Sequence, residues 1–508
     1  MSMSHLFSTI AHHAQHTPGK PCIVPANGRP ALTYDALIRQ AALFGRFLAA
    51  NGCRPEDKVA IMTHNTCEFF VALLGALHQG MVAVPVDANL AVTELQRIFA
   101  HAEPSAIVVD QSSAQKAAQV GTAGALVAVG AGALEGIPVF DPAAAVETPP
   151  APPQPRGSGQ LTLLLYTSGT TGAPKGVMHS HATILARVKS ITEWFSLSSA
   201  DRAFCMLPTH FGHGLICNCL SALFHGGTLV LSSPFDLNVV KALWESVERN
   251  EVTWFSTVPT IVRMLLQLAE LRRPPRPPRL RFVTCASAPL RVAEVEQFER
   301  TFGVPLLNCY GITETASWTA FSPNSPDRDK SSVGTQFGCE IRAVDPAGNA
   351  LPPGEHGELQ IRGPSVMLGY YHDRELTSKI LQDGWFCTGD YGDVDANGRV
   401  HLLSRLKEVI IRAGLNVYPT DVDTVLLAHP ALAEAYTVGL PNEMLGESVA
   451  AVVVRKPGAH ASEREILQHC RGALAPYKCP ERICFVDSVQ KNSRGKVNRG
   501  NLRSLFAN

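Results

Sequence analysis

LTLLLYTSGTTGAPKGVMHSH, Leu161 to His181, sets an apolar strand directly before a loop of Thr, Ser and Gly that contains one lysine. Glycines 169, 172 and 176 let backbone N–H groups turn inward and approach an anion closely. Thr167, Ser168, Thr170 and Thr171 add hydroxyl donors, and Lys175 adds a positive charge. A loop of that composition suits phosphate. It is not a Walker A loop, which needs Gly-Lys-Ser/Thr in order, because Pro174 precedes Lys175 and Gly176 follows it.

Outward from this stretch, helical and strand-like segments alternate. The pattern predicts an amphipathic helix over Ala31 to Ala50, a strand over Lys58 to Met62, a helix over Cys67 to Gln79 and a strand over Ala106 to Val109. That rhythm implies α/β layers. The proline-rich ETPPAPPQPRGSGQ, residues 147–160, reads as a linker, and RRPPRPPRL, residues 272–280, as a surface connection before a strand over Leu280 to Thr284. Between His401 and Ile411 the charged cluster Arg405-Leu406-Lys407-Glu408 separates two apolar runs and marks a hinge.

Composition narrows the function classes. With 508 residues and 45% hydrophobic side chains the chain can bury two to four cores. Lys+Arg and Asp+Glu both total 44, so no net field draws it to nucleic acid or an anionic membrane; small molecules are the expected partners. The first twenty residues lack the pattern of a secretory signal, and no apolar run reaches the length of a membrane span, so a cytoplasmic location is expected. Thirteen cysteines include Cys217 and Cys219 but no CxxC pair, which fits thiols used as small apolar side chains in a reducing compartment. GAGALEG, residues 130–136, has Glu135 where a dinucleotide fingerprint needs its third glycine. His12, His13 and His16 lack the Glu of a zincin helix and read as surface histidines.

YTSGTTGAPKG resembles the phosphate loop of the adenylate-forming superfamily of acyl-CoA synthetases, aryl-CoA ligases, luciferases and peptide-synthetase adenylation domains. Later segments match in the same order: NCYGITET at Asn308 to Thr315, GWFCTGD at Gly384 to Asp390, SRLKEVIIRAGLNVYPTDVD at Ser404 to Asp423, and NSRGKVNR at Asn492 to Arg499. The resemblance implies an α/β fold: a large N-terminal domain, 1–406, of layered α/β subdomains with a β-barrel-like subdomain, and a small mobile α+β C-terminal domain, 407–508. It also implies ATP, Mg2+ and coenzyme A as cofactors and co-substrates.

The same resemblance implies roles, residue by residue. The loop around Thr167, Ser168, Gly169, Thr170, Thr171, Gly172 and Lys175 would hold the β and γ phosphates. Attack of a carboxylate on the α-phosphorus builds charge on phosphoryl oxygens and on leaving pyrophosphate, so donors and cations are needed there. Glu314 would anchor magnesium, with Thr313 near the α-phosphate. Tyr310 offers a flat face to adenine, bordered by Ser287, Ala288 and Pro289 and by Asn308, Cys309 and Gly311. Asp390 would accept from the ribose hydroxyls and Arg405 add a charge-assisted contact. Lys496 would reach the carboxylate and α-phosphate, Lys407 would be the hinge, and Arg412, Ala413 and Gly414 would form the thiol channel.

Acid specificity is expected in LPTHFGHGLICN at Leu207 to Asn218, in WFSTVPT at Trp254 to Thr260, and around Tyr310 and Val333 to Phe337. Phe211 aligns with the gating aromatic, and Gly214, Ser287, Gly311, Gly334 and Gln336 complete the expected acid site. Phe-Gly-His-Gly-Leu resembles both benzoate and anthranilate ligases and small-dicarboxylate ligases. A dicarboxylate ligase is expected to place an Arg before the motif tyrosine to partner the second carboxylate, and here that residue is Cys309. The reading therefore leans to an aromatic or similarly compact monoacid, with His213 either a polar handle for a ring substituent or a satisfied core histidine. A dicarboxylic or medium-chain fatty acid, and a carrier protein in place of free coenzyme A, stay open as alternatives. So does the choice between monomer and homodimer.

Overall fold

The computed structural model describes residues 5–121, 124–130, 132, 134–141, 157–168, 174–271, 276–316, 319–321, 325, 328–413, 415–491 and 497–506. The chain divides into two compact units. The first comprises Met1–Arg328, Gln336–Glu340 and Arg362–Phe386; the second comprises Asp329–Thr335, Ile341–Ile361 and Cys387–Asn508.

Two sheets build the first unit. One carries β1 (Pro21–Pro25), β2 (Leu32–Thr33), β10 (Arg202–Cys205), β11 (Thr228–Leu231), β12 (Trp254–Thr257), β13 (Phe282–Cys285) and β14 (Leu306–Asn308), in the spatial order β14-β13-β12-β10-β11-β1-β2. All of its pairs are parallel except β1 with β2. The other carries β3 (Lys58–Met62), β4 (Val82–Pro85), β5 (Ala106–Val109), β6 (Ala125–Val129), β7 (Val139–Phe140), β8 (Leu161–Ser168), β9 (Pro174–Ser180) and β15 (Gly369–Tyr370). Its order is β15-β9-β8-β4-β3-β5-β6-β7, parallel from β8 to β7 and antiparallel at β9 and β15. The parallel strands are continuous apolar runs because both faces are covered: β4, β5, β11, β12 and β13 are buried along their whole length. In the first sheet the chain leaves β10 for β11 on one side and for β12, β13 and β14 on the other. Loops at the carboxyl ends near such a reversal form crevices that suit ligands.

Local sequence explains the small departures from expectation. The helix expected from Ala31 starts at Tyr34, because Leu32–Thr33 pair with β1 and the Thr33 hydroxyl caps the helix by accepting from Ala36 N at 3.2 Å. The strand expected over 280–284 is shifted to Phe282–Cys285. The glycine run after β6 leads into short β7 rather than a helix, so it lacks the context of a dinucleotide site. His13 is not a surface histidine: it is half-buried and its Nε2 lies 2.8 Å from Phe224 O, while His12 and His16 are exposed with their rings 4.1 Å apart. All thirteen cysteines are free, nine of them buried.

The second unit also has two sheets. Its first carries Glu340–Val344, Gly357–Arg362 and Trp385–Val394 in that order, with Val400–Arg405 antiparallel to the last. Its second orders Leu415–Val417, Ile410–Arg412, Gly446–Arg455 and Leu432–Asn442, with Arg482–Val486 parallel to Gly446–Arg455. The central strand shows the period of two: Val449, Ala451 and Val453 pack with Val422, Leu426 and Ile466 of the helices Pro419–Ala428 and Glu463–Ala473, whereas Ala450 and Val452 pack with Leu502 and Phe506. Between the two sheets the charged cluster forms a short 3-10 turn, Leu406–Glu408.

Candidate active site

The strands on either side of the expected phosphate loop, β8 and β9, pair antiparallel. Thr167 pairs with Lys175 and Ser168 with Pro174, so the chain turns back as β9 and starts its next helix, His181–Trp194, seven residues later. A Walker A loop would have fed straight into a helix. Gly176 is required by close approach: a Cβ there would stand 2.9 Å from Leu164 and 3.2 Å from Tyr371. Half-buried Lys175 places its ammonium 5.4 Å from the centre of the Tyr370 ring. The Tyr370 hydroxyl donates to Glu314 Oε1 at 2.7 Å. Cation, ring and carboxylate thus gather on one tyrosine that the sequence reading missed.

A second unpredicted residue fixes the Glu314 turn. Buried His179 on β9 donates from Nε2 to Thr313 O at 2.9 Å, and burial lowers its pKa to about 4, so the ring is neutral. Glu314 O accepts from Met367 N at 2.8 Å. The turn carrying Thr313 and Glu314 is therefore held at both main-chain carbonyls.

Ser287 and Tyr310 follow the carboxyl ends of neighbouring strands β13 and β14. Half-buried Ser287 has φ of 78°, a left-handed conformation that non-glycine residues rarely keep without support. That support is a polar chain: Ser287 Oγ lies 3.1 Å from His213 Nδ1, His213 Nε2 lies 2.5 Å from Ser256 Oγ, and Ser256 Oγ lies 2.6 Å from Thr284 Oγ1. Ser256 and Thr284 are directly opposed on β12 and β13, so sheet register sets the spacing. Burial lowers the His213 pKa to about 3. The neutral ring, with a hydroxyl at each nitrogen, braces the Ser287 turn; the sequence reading left it open between a handle for a ring substituent and a core histidine satisfied by its neighbours. Tyr310 is buried and joined to Thr319 by main-chain bonds, Cys309 N donates to Cys285 O, Asn308 ends β14, and Gly311 and Ala288 are half-buried with Pro289 exposed.

The segment Leu207 to Asn218 ends in a π-helix, His213–Leu220, which periodicity did not reveal. Its entry is tight: a Cβ on Gly214 would lie 2.4 Å from Pro208 O. Half-buried Phe211 sets its ring edge-on to His213 at 6.2 Å. Asn65, from the loop after β3, pins this entry: its Nδ2 donates to Leu207 O at 2.8 Å and Ser232 O at 3.2 Å, and its Oδ1 accepts from Thr209 N and Oγ1 at 3.0 and 3.1 Å. Gln336 is half-buried in the first unit.

In the second unit, Asp390 and Arg405 are opposed across two antiparallel strands and ion-paired at 2.7 Å. Asp390 N donates to Thr388 Oγ1, whose hydroxyl donates to Leu359 O. Gly334 holds φ of 88° and donates its N–H to Ser332 Oγ. Lys407 is exposed in its turn. Arg412, expected in the thiol channel, pairs with Glu481 and donates to Tyr477 O, and it is opposed to Leu415 in the antiparallel pairing of its strand. Ala413, next along, holds φ of 51°, a left-handed turn position.

Gly169, Thr170, Thr171, Gly172, Gly414 and Lys496 lie outside the described residues. Among the described residues no group of three or more His, Cys, Asp or Glu is disposed to hold a metal ion, and no helix is long and apolar enough to cross a membrane.

Comparison with known proteins agrees with this arrangement. The model of the AMP-binding enzyme family matches residues 10–371, and that of the AMP-binding enzyme C-terminal domain matches 421–496. Sulfoacetate--CoA ligase of Cupriavidus necator is 32% identical over 97% of this chain and 96% of its own length. Feruloyl-CoA synthase of an Amycolatopsis species is 33% identical, covering 94% of this chain and 95% of its own. The crystal structure of ATP-bound MatB from Rhodopseudomonas palustris superposes with a TM-score of 0.88 at 30% identity, covering 99% of both chains. Two family models, full-length relatives and an adenylate-forming fold coincide on one sequence: the chain belongs to the AMP-binding enzyme family, among its acid–CoA ligases.

Proposed function

We propose that the protein joins a compact organic acid, aromatic or of similar size, to coenzyme A in the cytoplasm through an acyl adenylate. A carboxylate oxygen attacks the α-phosphorus of ATP and the bond to pyrophosphate breaks; the coenzyme A sulfur then attacks the acyl carbon, AMP leaves, and the thiol proton passes to solvent. The observation that carries the reading is the gathering of Lys175, Tyr370 and Glu314 beside the phosphate hairpin.

In this reading residues 167–176 hold the β and γ phosphates, and Thr313 faces the α-phosphate. Ser287 to Pro289 and Asn308 to Gly311 border the adenine, and Asp390 takes the ribose. Arg405, already paired with Asp390, fixes that carboxylate. Magnesium fits the donor set: Glu314 offers a hard carboxylate, and a cation held by one carboxylate, phosphate and water needs no cluster of protein ligands. When bound, it would neutralise phosphate charge. A domain division at 406/407 would make Lys407 the hinge about which the smaller domain presents Lys496 for adenylation and residues 412–414 for thiol transfer. Free coenzyme A is preferred to a carrier-bound thiol because the relatives named above are CoA ligases.

Acid-dependent exchange of pyrophosphate into ATP tests the first half. Lys496→Ala should lower that exchange ~100-fold or more, and undiminished exchange in the variant would refute its role. Gly414→Val should keep exchange but lose thioester; equal loss of both would remove the channel assignment.

A further inference from the structure

The helix His181–Trp194 turns Arg187 fully inward, at 0% exposure. Its surroundings come from two of the regions in which acid specificity is expected, the Leu207 to Asn218 segment and the neighbourhood of Tyr310 and Val333 to Phe337. Cys217 lies on the π-helix one turn after His213, Cys309 stands immediately before Tyr310, and Cys339 follows Phe337, whose ring centre is 4.5 Å from the guanidinium carbon. Trp194, two turns along the same helix, stacks on Phe337 at 5.0 Å and 3°.

Two physical arguments give this arginine a purpose beyond packing. Burial pushes the Cys217 thiol up to about 12 and Cys309 higher still, so these thiol neighbours stay neutral. A Met or Leu would support Phe337 equally well without the cost of burying a charge. In addition, Asn218, next along the π-helix, is 0% exposed, and among the described residues neither its Nδ2 nor its Oδ1 has a hydrogen-bond partner. Native structures seldom leave a buried amide so, and π-helical turns often accompany ligand sites.

We infer that the acid this protein activates carries a second anionic group, carboxylate or sulfonate, and that Arg187, behind the wall formed by Phe337 and Cys309, selects it. The inference rests on the ligase reading and deepens it. A cation under a dry wall attracts an anion several-fold more strongly than it would in water, so the far end of the substrate is read by charge while its activated carboxylate faces the nucleotide. The missing Arg before Tyr310 is thereby supplied from another element.

The test uses the full chain and size-matched acids: malonate and sulfoacetate against butyrate, and 2-carboxybenzoate against 2-methylbenzoate. The anion-tailed member of at least one pair should be preferred by ~100-fold in kcat/KM, and Arg187→Met should erase at least ~10-fold of that preference through KM for the acid, leaving KM for ATP unchanged. Arg187→Lys should retain part of it. If Arg187→Met fails to fold, Cys339→Asp, which sets a carboxylate beside the guanidinium, should remove the preference instead. Sulfoacetate against malonate tells which anion is meant. Wild-type preference for the uncharged members, or equal loss for both members in the variants, would overturn the assignment. Failure of every acid to support pyrophosphate exchange would sink the ligase reading itself, and this one with it.

Discussion

The two units hold their candidate residues by opposite means. In the first, His213 with Ser256 and Ser287, and His179 with Thr313, are buried neutral groups linked by hydrogen bonds. In the second, Asp390 with Arg405, Arg412 with Glu481 and Arg499 with Asp423 are ion pairs, and the first two are partly open to solvent. A neutral dry network is insensitive to salt but yields to protons, because protonation forces a charge into low dielectric. A partly exposed pair tolerates mild acid and yields to salt. The same chain therefore has two different chemical weak points.

Acid should expose the first. His179, His213 and His225 are held well below the ordinary 6.5, at about 4, 3 and 4, by burial. Below pH 6.5 the unfolded chain takes up protons that the native rings refuse, so the stability contributed by these neutral rings is full above 6.5 and falls as pH drops toward 4. Each ring adds up to about 1.4 kcal/mol per pH unit, about 4 kcal/mol per unit for the three at the steepest. Urea unfolding at pH 7.5, 6 and 5 measures this; a flat profile would contradict it. Next in size, His213→Leu should cost about 2 to 4 kcal/mol by stranding the Ser256 and Ser287 hydroxyls, and should remove its share of the acid slope. A loss with the slope unchanged would mean that another ring dominates.

Smaller effects belong to the second unit. Asp390→Asn should cost about 1 kcal/mol at low ionic strength, and the difference from wild type should shrink in 1 M salt; a salt-independent difference would place the pair with the neutral networks. Smallest, Ala413→Gly should stabilise by about 0.5 to 1 kcal/mol, since the left-handed turn position penalises a Cβ. A lower melting temperature in that variant would show that chain entropy outweighs the strain.

Legibility in the sequence followed contact range. The strands at 58–62 and 106–109 and the helix from 67 were readable because their signals are local. So was the order of motifs from Thr167 to Asp390. Arg187 was not, because the neighbours that give it meaning are 30 or more residues away and reached through folding. The same holds for Asn65, which bonds to a loop 142 residues later, and for Tyr370, which reaches back 56 residues to Glu314. His213 was noticed, but the hydroxyls beside it are revealed only by the register of β12 and β13. The π-helix was invisible because its repeat is neither 2 nor 3.6 residues.

The strand-to-strand form of the hairpin at Thr167–Lys175 has a consequence for how an anion is held there. A loop that opens a helix adds the helix macrodipole, roughly half an elementary charge, to whatever side chains it offers. Here the chain continues as β9, so that contribution is missing and Lys175 is the cation built into the hairpin itself. Under the proposed function, grip on polyphosphate should follow the charge at this one ammonium, weakening on acetylation far more than in a loop backed by a helix.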